Sequence, residues 1–150
     1  MTFSRRYPVR FRDTDAAGVV YFAHGLALCH AAYEDSLQAT GLDLQGFFSP
    51  AAPLVYPIIH ASMDYRRPLH CGQWVVITLR PKRLDEASFE IAYGLSLAAD
   101  PPCIAAEALT RHVCIEAQTR RRHPLANEME QWLQIWETAG ESAFGESAFE

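Results

Sequence analysis

No run in this 150-residue chain approaches the roughly 20 consecutive apolar residues that a bilayer span requires, so no membrane helix is expected. Cysteine is sparse: Cys29, Cys71, Cys103 and Cys114 form no Cys-x-x-Cys pair. A chain this large and apolar does not need disulfide staples, and reduced thiols are expected. Histidines His24, His30, His60, His70, His112 and His123 fall in no His-x-x-x-His or His-x-x-Glu-His arrangement, which argues against a metal site. Lysine is almost absent, with Lys82 the one lysine among thirteen basic residues. Arginine suits bidentate contact with phosphate or carboxylate, although a GC-rich genome gives the same bias. No basic stripe interleaved with aromatics is present, so nucleic acid is not an expected partner. The stretch Met1–Tyr7 lacks the apolar core of a signal peptide, and a cytoplasmic location is expected.

What is present is a globular composition, 49% hydrophobic and 21% charged, long enough for one domain with a real core. The net charge of −5 is uneven. Residues 127–150 carry Glu128, Glu130, Glu137, Glu141, Glu146 and Glu150 and no basic residue, while the first 126 balance 13 basic against 12 acidic groups. Gly140–Phe144 is repeated exactly as Gly145–Phe149, so residues 1–138 are expected to form the domain and 139–150 a disordered acidic tail.

Tyr7, Val9 and Phe11 alternate with Pro8, Arg10 and Arg12, the period of a half-buried strand. Phe22, Leu26, Cys29, Tyr33 and Leu37 then recur at spacings of four and three, predicting one long helix that ends near Thr40 before Gly41. Residues 41–53 read as a loop with one short helical turn. Four strands follow, in 54–65, 74–80, 89–98 and 103–115, at spacings that indicate an antiparallel sheet, with the second of them central. An amphipathic helix over about 125–138 closes the pattern.

Between the first strand and the long helix lies Phe11-Arg-Asp-Thr-Asp-Ala-Ala-Gly-Val-Val-Tyr-Phe-Ala23. It sets two carboxylates, Asp13 and Asp15, at the mouth of a helix N-terminus, where unpaired N–H groups and the helix dipole stabilise a developing oxyanion. An ordinary corner in which Asp13, Thr14 or Asp15 caps the helix fits the same residues.

Asp13-Thr14-Asp15-Ala16-Ala17-Gly18-Val19-Val20-Tyr21 closely resembles the signature of the 4-hydroxybenzoyl-CoA thioesterase family, and the resemblance covers roughly residues 6–126. Within that family the likeness runs to the cyanobacterial 1,4-dihydroxy-2-naphthoyl-CoA thioesterases, through the same stretch and Cys29-His30-Ala31-Ala32-Tyr33-Glu34. The resemblance implies an α+β hotdog fold, in which a curved antiparallel sheet wraps one long central helix, with a C-terminal helix added here. It implies hydrolysis of an aromatic acyl-CoA thioester within phylloquinone or menaquinone biosynthesis, without cofactor, by a homotetramer built from dimers. By position, Asp15 is the catalytic carboxylate, as nucleophile or general base. Gly18, Tyr21 and Phe22 position the acyl group, with the Phe22 N–H at the oxyanion, and Asp13 is structural. His30 and Tyr33 are expected beside the substrate ring. Arg120, Arg121 and Arg122, and less directly Lys82 and Arg83, are expected at the CoA phosphates.

Other activities compatible with such a chain are a broad-range aliphatic acyl-CoA or acyl-carrier-protein thioesterase and a non-catalytic acyl-CoA-binding protein. A dehydratase would use His30 with Glu34 one helical turn away.

Overall fold

The computed structural model describes residues 2–99 and 101–137. The acidic tail expected over 139–150, with its duplicated pentapeptide, lies outside them. Strand β1 (Phe3–Pro8) leads to a 3-10 turn (Phe11–Asp13), then helix α1 (Phe22–Ala39) and a short helical turn α2 (Leu44–Phe47). Strands β2 (Leu54–Val55), β3 (Ile58–Tyr65), β4 (Trp74–Asp85), β5 (Ser88–Leu97), β6 (Cys103–Val113) and β7 (Ile115–Glu116) follow, and helix α3 (Asn127–Glu137) ends the described chain.

The main sheet is antiparallel in the order β1-β4-β5-β6-β3, so β4 is an interior strand paired on both sides, the middle strand is β5 rather than the expected β4, and β1 and β3 are edges. Two of the expected strands are each divided. The segment 54–65 breaks at Tyr56-Pro57, and 103–115 breaks at Cys114; the outer pieces β2 and β7 form a separate two-stranded sheet. Strand β4 also runs past its expected end at Arg80. Pro81 is tolerated because β1 stops pairing at Leu79, so β4 is there an edge with no second ladder to lose.

Helix α1 lies on the sheet through Gly25, Cys29, Ala32, Tyr33, Ser36 and Leu37, all buried. The expected stripe therefore holds from Cys29 onward but not at its start, where Phe22 is 66% exposed. Gly41, at φ +89°, ends the helix as expected. Ser36 ties α3 to α1: its hydroxyl donates to the Tyr33 carbonyl at 2.7 Å and accepts from Trp132 Nε1 at 2.9 Å. Trp136 Nε1 donates to the Ser36 carbonyl at 3.2 Å. Trp132, Phe89, Tyr33 and His112 pack edge-on, tilted or stacked beneath this joint.

The strand expected through Phe11 and Arg12 stops early. Val9 is buried, but Phe11 is 84% exposed and not part of a half-buried face. The cause is local: Asp13 accepts the Arg10 N–H at 2.8 Å, and the Asp13 N–H bonds the Arg10 carbonyl at 2.9 Å, closing a 3-10 turn in place of a ladder. Among the described residues no helix is long and apolar enough to cross a membrane.

Candidate active site

The turn from Asp13 to Phe22 is fixed almost entirely by its own backbone. The Asp15 N–H donates to the Val19 carbonyl and the Gly18 N–H to the Asp15 carbonyl, each at 3.0 Å. Gly18 closes this turn at φ +78°, a conformation that disfavours any residue with a Cβ. His70 Nδ1 lies 3.0 Å from the Gly18 carbonyl, and the Val20 N–H donates to the Leu69 carbonyl at 2.8 Å, so the segment after β3 braces the turn. One carboxylate oxygen of Asp15 accepts the Ala17 N–H at 2.8 Å, which holds an exposed side chain in a defined place.

Asp13 is held by the fold itself. It is buried at 8% exposure in the 3-10 turn, its carbonyl accepts the Tyr21 N–H at 2.8 Å, and Oδ1 lies 3.3 Å from His24 Nδ1. These contacts deliver Tyr21 to the N-cap of α1. Tyr21 offers no capping side chain and the first turn contains no acidic residue. The helix thus presents the N–H groups of Phe22 and Ala23 without intrahelical acceptors and with the positive end of its dipole unneutralised. Asp15, Val19, Val20, Tyr21, Phe22, Tyr65, Arg66, Arg67, Pro68 and Leu69 line one groove of about 450 Å³ at this point. A carboxylate and an open helix N-terminus thus line the same groove, a pairing that acyl transfer can use.

The 65–69 wall was not visible as a site in the sequence, where Arg66-Arg67-Pro68 reads only as a strand end. The signal available was a basic pair beside a proline. Arg66 is in part structural, since its guanidinium pairs with Glu107 at 2.8 Å.

Other expected site residues lie elsewhere. Tyr33 is a correction: at 1% exposure it is a core residue between α1 and the sheet, packed on Phe89, His112 and Trp132, and cannot face a ligand. Burial pushes its hydroxyl pKa well up. His30 is half-exposed, with Nδ1 3.5 Å from Glu34 Oε2 and its ring 6.2 Å from that of Phe48, outside the Asp15 groove. Arg83 holds intramolecular partners: its guanidinium pairs with Glu130 and donates to the Asp85 carbonyl at 3.2 Å, while its N–H donates to Glu137 at 3.0 Å. Lys82 is exposed on β4, beside a recess lined by Arg80, Trp136 and Glu137. Arg120 and Arg121 are exposed in the turn after β7, where Arg120 adopts φ +63°, and Arg122 lies 3.7 Å from Asp85.

The family model for the thioesterase-like superfamily matches residues 9–133. The chain belongs to that superfamily. Its hotdog architecture is the expected one, a curved antiparallel sheet around a long helix. A 1,4-dihydroxy-2-naphthoyl-CoA hydrolase of Rippkaea orientalis is 48% identical over 131 residues, 87% of this chain and 94% of that one. The Nostoc punctiforme protein of the same name is 45% identical, covering 89% and 88%. Among solved structures, Slr0204, a 1,4-dihydroxy-2-naphthoyl-CoA thioesterase from Synechocystis, superposes with a TM-score of 0.83 at 35% identity, over 89% of this chain and 96% of that chain. A second, a putative thioesterase from Prochlorococcus marinus, gives 0.82 at 38% identity, over 88% and 94%. In this thioesterase-like chain, the groove holding Asp15 and the α1 N-terminus is the candidate active site.

Proposed function

We propose that the chain hydrolyses an aromatic acyl-CoA thioester, 1,4-dihydroxy-2-naphthoyl-CoA, to the free acid and CoA. The observation that carries this is the groove shared by Asp15 and the uncapped N-terminus of α1. The thioester carbonyl sits over Phe22, whose N–H takes the oxyanion. Asp15 then either attacks the carbonyl carbon, expelling CoA thiolate and leaving a mixed anhydride that water opens, or removes a proton from the water that attacks directly. A single turnover in ¹⁸O-labelled water bears on the choice: an unlabelled first product with the label in Asp15 establishes attack by Asp15, with water opening the anhydride at the Asp15 carbon. Base catalysis, like opening at the acyl carbon, delivers a labelled product, and only the nucleophilic route leaves an acyl-enzyme that rapid quenching detects.

The acyl group is supported by the shared name of relatives at 48% and 45% identity. We place His30, with Glu34, at the ring end of a site completed by a second subunit, where imidazole exchanges a hydrogen bond with a ring hydroxyl. Arg120 and Arg121 take the CoA phosphates. Edge strand β3 exposes Ile58 and Ile59, the latter at 61%, which supports pairing of subunits into a homotetramer. The free thiols among the described residues support work in the cytoplasm. The test is free-CoA release from a panel of naphthoyl, benzoyl and fatty acyl thioesters. The expected outcome is a kcat/KM for the dihydroxynaphthoyl substrate at least about tenfold above the rest. A preference for medium-chain acyl groups would overturn the assignment.

A further inference from the structure

Glycine in a helix interior lowers helix stability, so a buried glycine at position 25 of α1 calls for a packing reason. A Cβ built there would overlap Tyr65 Oη and stand 2.7 Å from both Cε and Sδ of Met63. Both side chains come from β3, and their close approach permits one specific bond: the Tyr65 hydroxyl donates to the Phe22 carbonyl. That carbonyl and the Ala23 N–H are two ends of one peptide group. Inside the helix the same oxygen also receives the N–H four residues on, so Tyr65 adds a second donor to it. Drawing electron density toward the oxygen strengthens the N–H at the other end as a donor. The Ala23 N–H is one of the helix's unpaired first-turn groups, and Tyr65 and Phe22 line the groove with Asp15. Burial holds the Tyr65 hydroxyl pKa above its ordinary value, so the group remains a donor through the neutral range.

We propose that Tyr65 is a positioning residue: its hydroxyl, admitted by the missing side chain at Gly25, fixes the first turn of α1 and polarises the Phe22–Ala23 peptide. The Ala23 N–H thereby joins that of Phe22 in holding the oxyanion. The inference rests on the thioester hydrolysis proposed above, and it assigns Gly25 and Tyr65 to one functional unit.

The test uses the full chain and 1,4-dihydroxy-2-naphthoyl-CoA. Tyr65→Phe lowers kcat about tenfold and leaves KM within about twofold, because the polarised donor acts on the oxyanion more than on the ground-state carbonyl. Binding of the substrate to Asp15→Asn and to the Asp15→Asn/Tyr65→Phe double variant has the same Kd. Gly25→Ala displaces the hydroxyl and lowers kcat by a similar factor, yet adds no further loss in the Tyr65→Phe background. Wild-type kcat in Tyr65→Phe, with Asp15→Asn inactive, overturns the role of Tyr65 and leaves the hydrolase reading standing. Losses that multiply overturn the link between Gly25 and Tyr65. Wild-type turnover in Asp15→Asn removes the reading beneath both. Tyr65→Phe keeps the aromatic ring and decides the role of Tyr65 even if Gly25→Ala does not fold.

Discussion

Replacing Gly18 by Ala separates the conformational demand of the Asp15 turn from its chemistry. Gly18 sits at φ +78°, and a Cβ added there meets no atom within 4 Å. The cost is therefore backbone strain without a clash, about 1–2 kcal/mol for an L residue in the left-handed region. For a chain of this length that corresponds to a fall in Tm of roughly 2–8 °C. Gly41→Ala is the matched control: its φ is +89°, it too has open space, and it lies beyond the opposite end of α1. Urea unfolding should show both midpoints lowered by similar amounts with unchanged m-values. The two then part in activity. The Gly18 N–H holds the Asp15 carbonyl and the Gly18 carbonyl meets His70, so a relaxed turn shifts Asp15. Small displacements of a reacting group are expensive, and kcat/KM should fall about tenfold or more in Gly18→Ala but stay at the wild-type value in Gly41→Ala. Equal activity losses in the two variants, or no loss of stability in Gly18→Ala, would refute the reasoning.

Ser36→Ala strands the buried Trp132 indole N–H and should cost about 1–3 kcal/mol in urea unfolding, with kcat unaffected. His112 is buried, with its pKa pushed down to about 3 by desolvation and by the nearby His30. Its folded pKa lies below the unfolded 6.5, so the unfolded chain binds the extra proton. Its contribution to stability is complete above pH 6.5 and is lost by up to about 1.4 kcal/mol per pH unit as the pH falls toward 3. The His112 ring-proton NMR shift should accordingly show no titration between pH 7 and about 4. Arg83→Ala should cost at most about 1 kcal/mol, its partners being half-exposed, and should leave KM for acyl-CoA unchanged. Arg120→Ala/Arg121→Ala should instead raise that KM several-fold with kcat retained, and should not affect a pantetheine thioester that lacks the nucleotide.

The long helix was legible because Cys29, Tyr33 and Leu37 keep one face, and its end because Gly41 takes a positive φ. The interior position of β4 was legible in its doubly apolar strand, but not that β5 would be the middle one. The first turn of α1 was not, because an exposed Phe22 imitates a core residue when periodicity alone is read. Asp13 and Asp15 could be found from the sequence, but the reason they differ could not. A side-chain bond from Asp13 to the Arg10 N–H replaces the strand that alternation predicts. Tyr33 shows the complementary failure, since it is claimed by a core built from Phe89, His112 and Trp132, distant partners that no local pattern announces. Tyr65 escaped notice for the same reason, since its hydroxyl acts 43 residues up the chain.

Asp15→Asn preserves the size and the Ala17 N–H bond of the side chain while removing its charge. Hydrolysis of 1,4-dihydroxy-2-naphthoyl-CoA by the folded variant, matched to wild type by circular dichroism and Tm, should fall by about three orders of magnitude or more with KM little changed. Turnover at the wild-type rate would contradict the assignment of this groove as the active site.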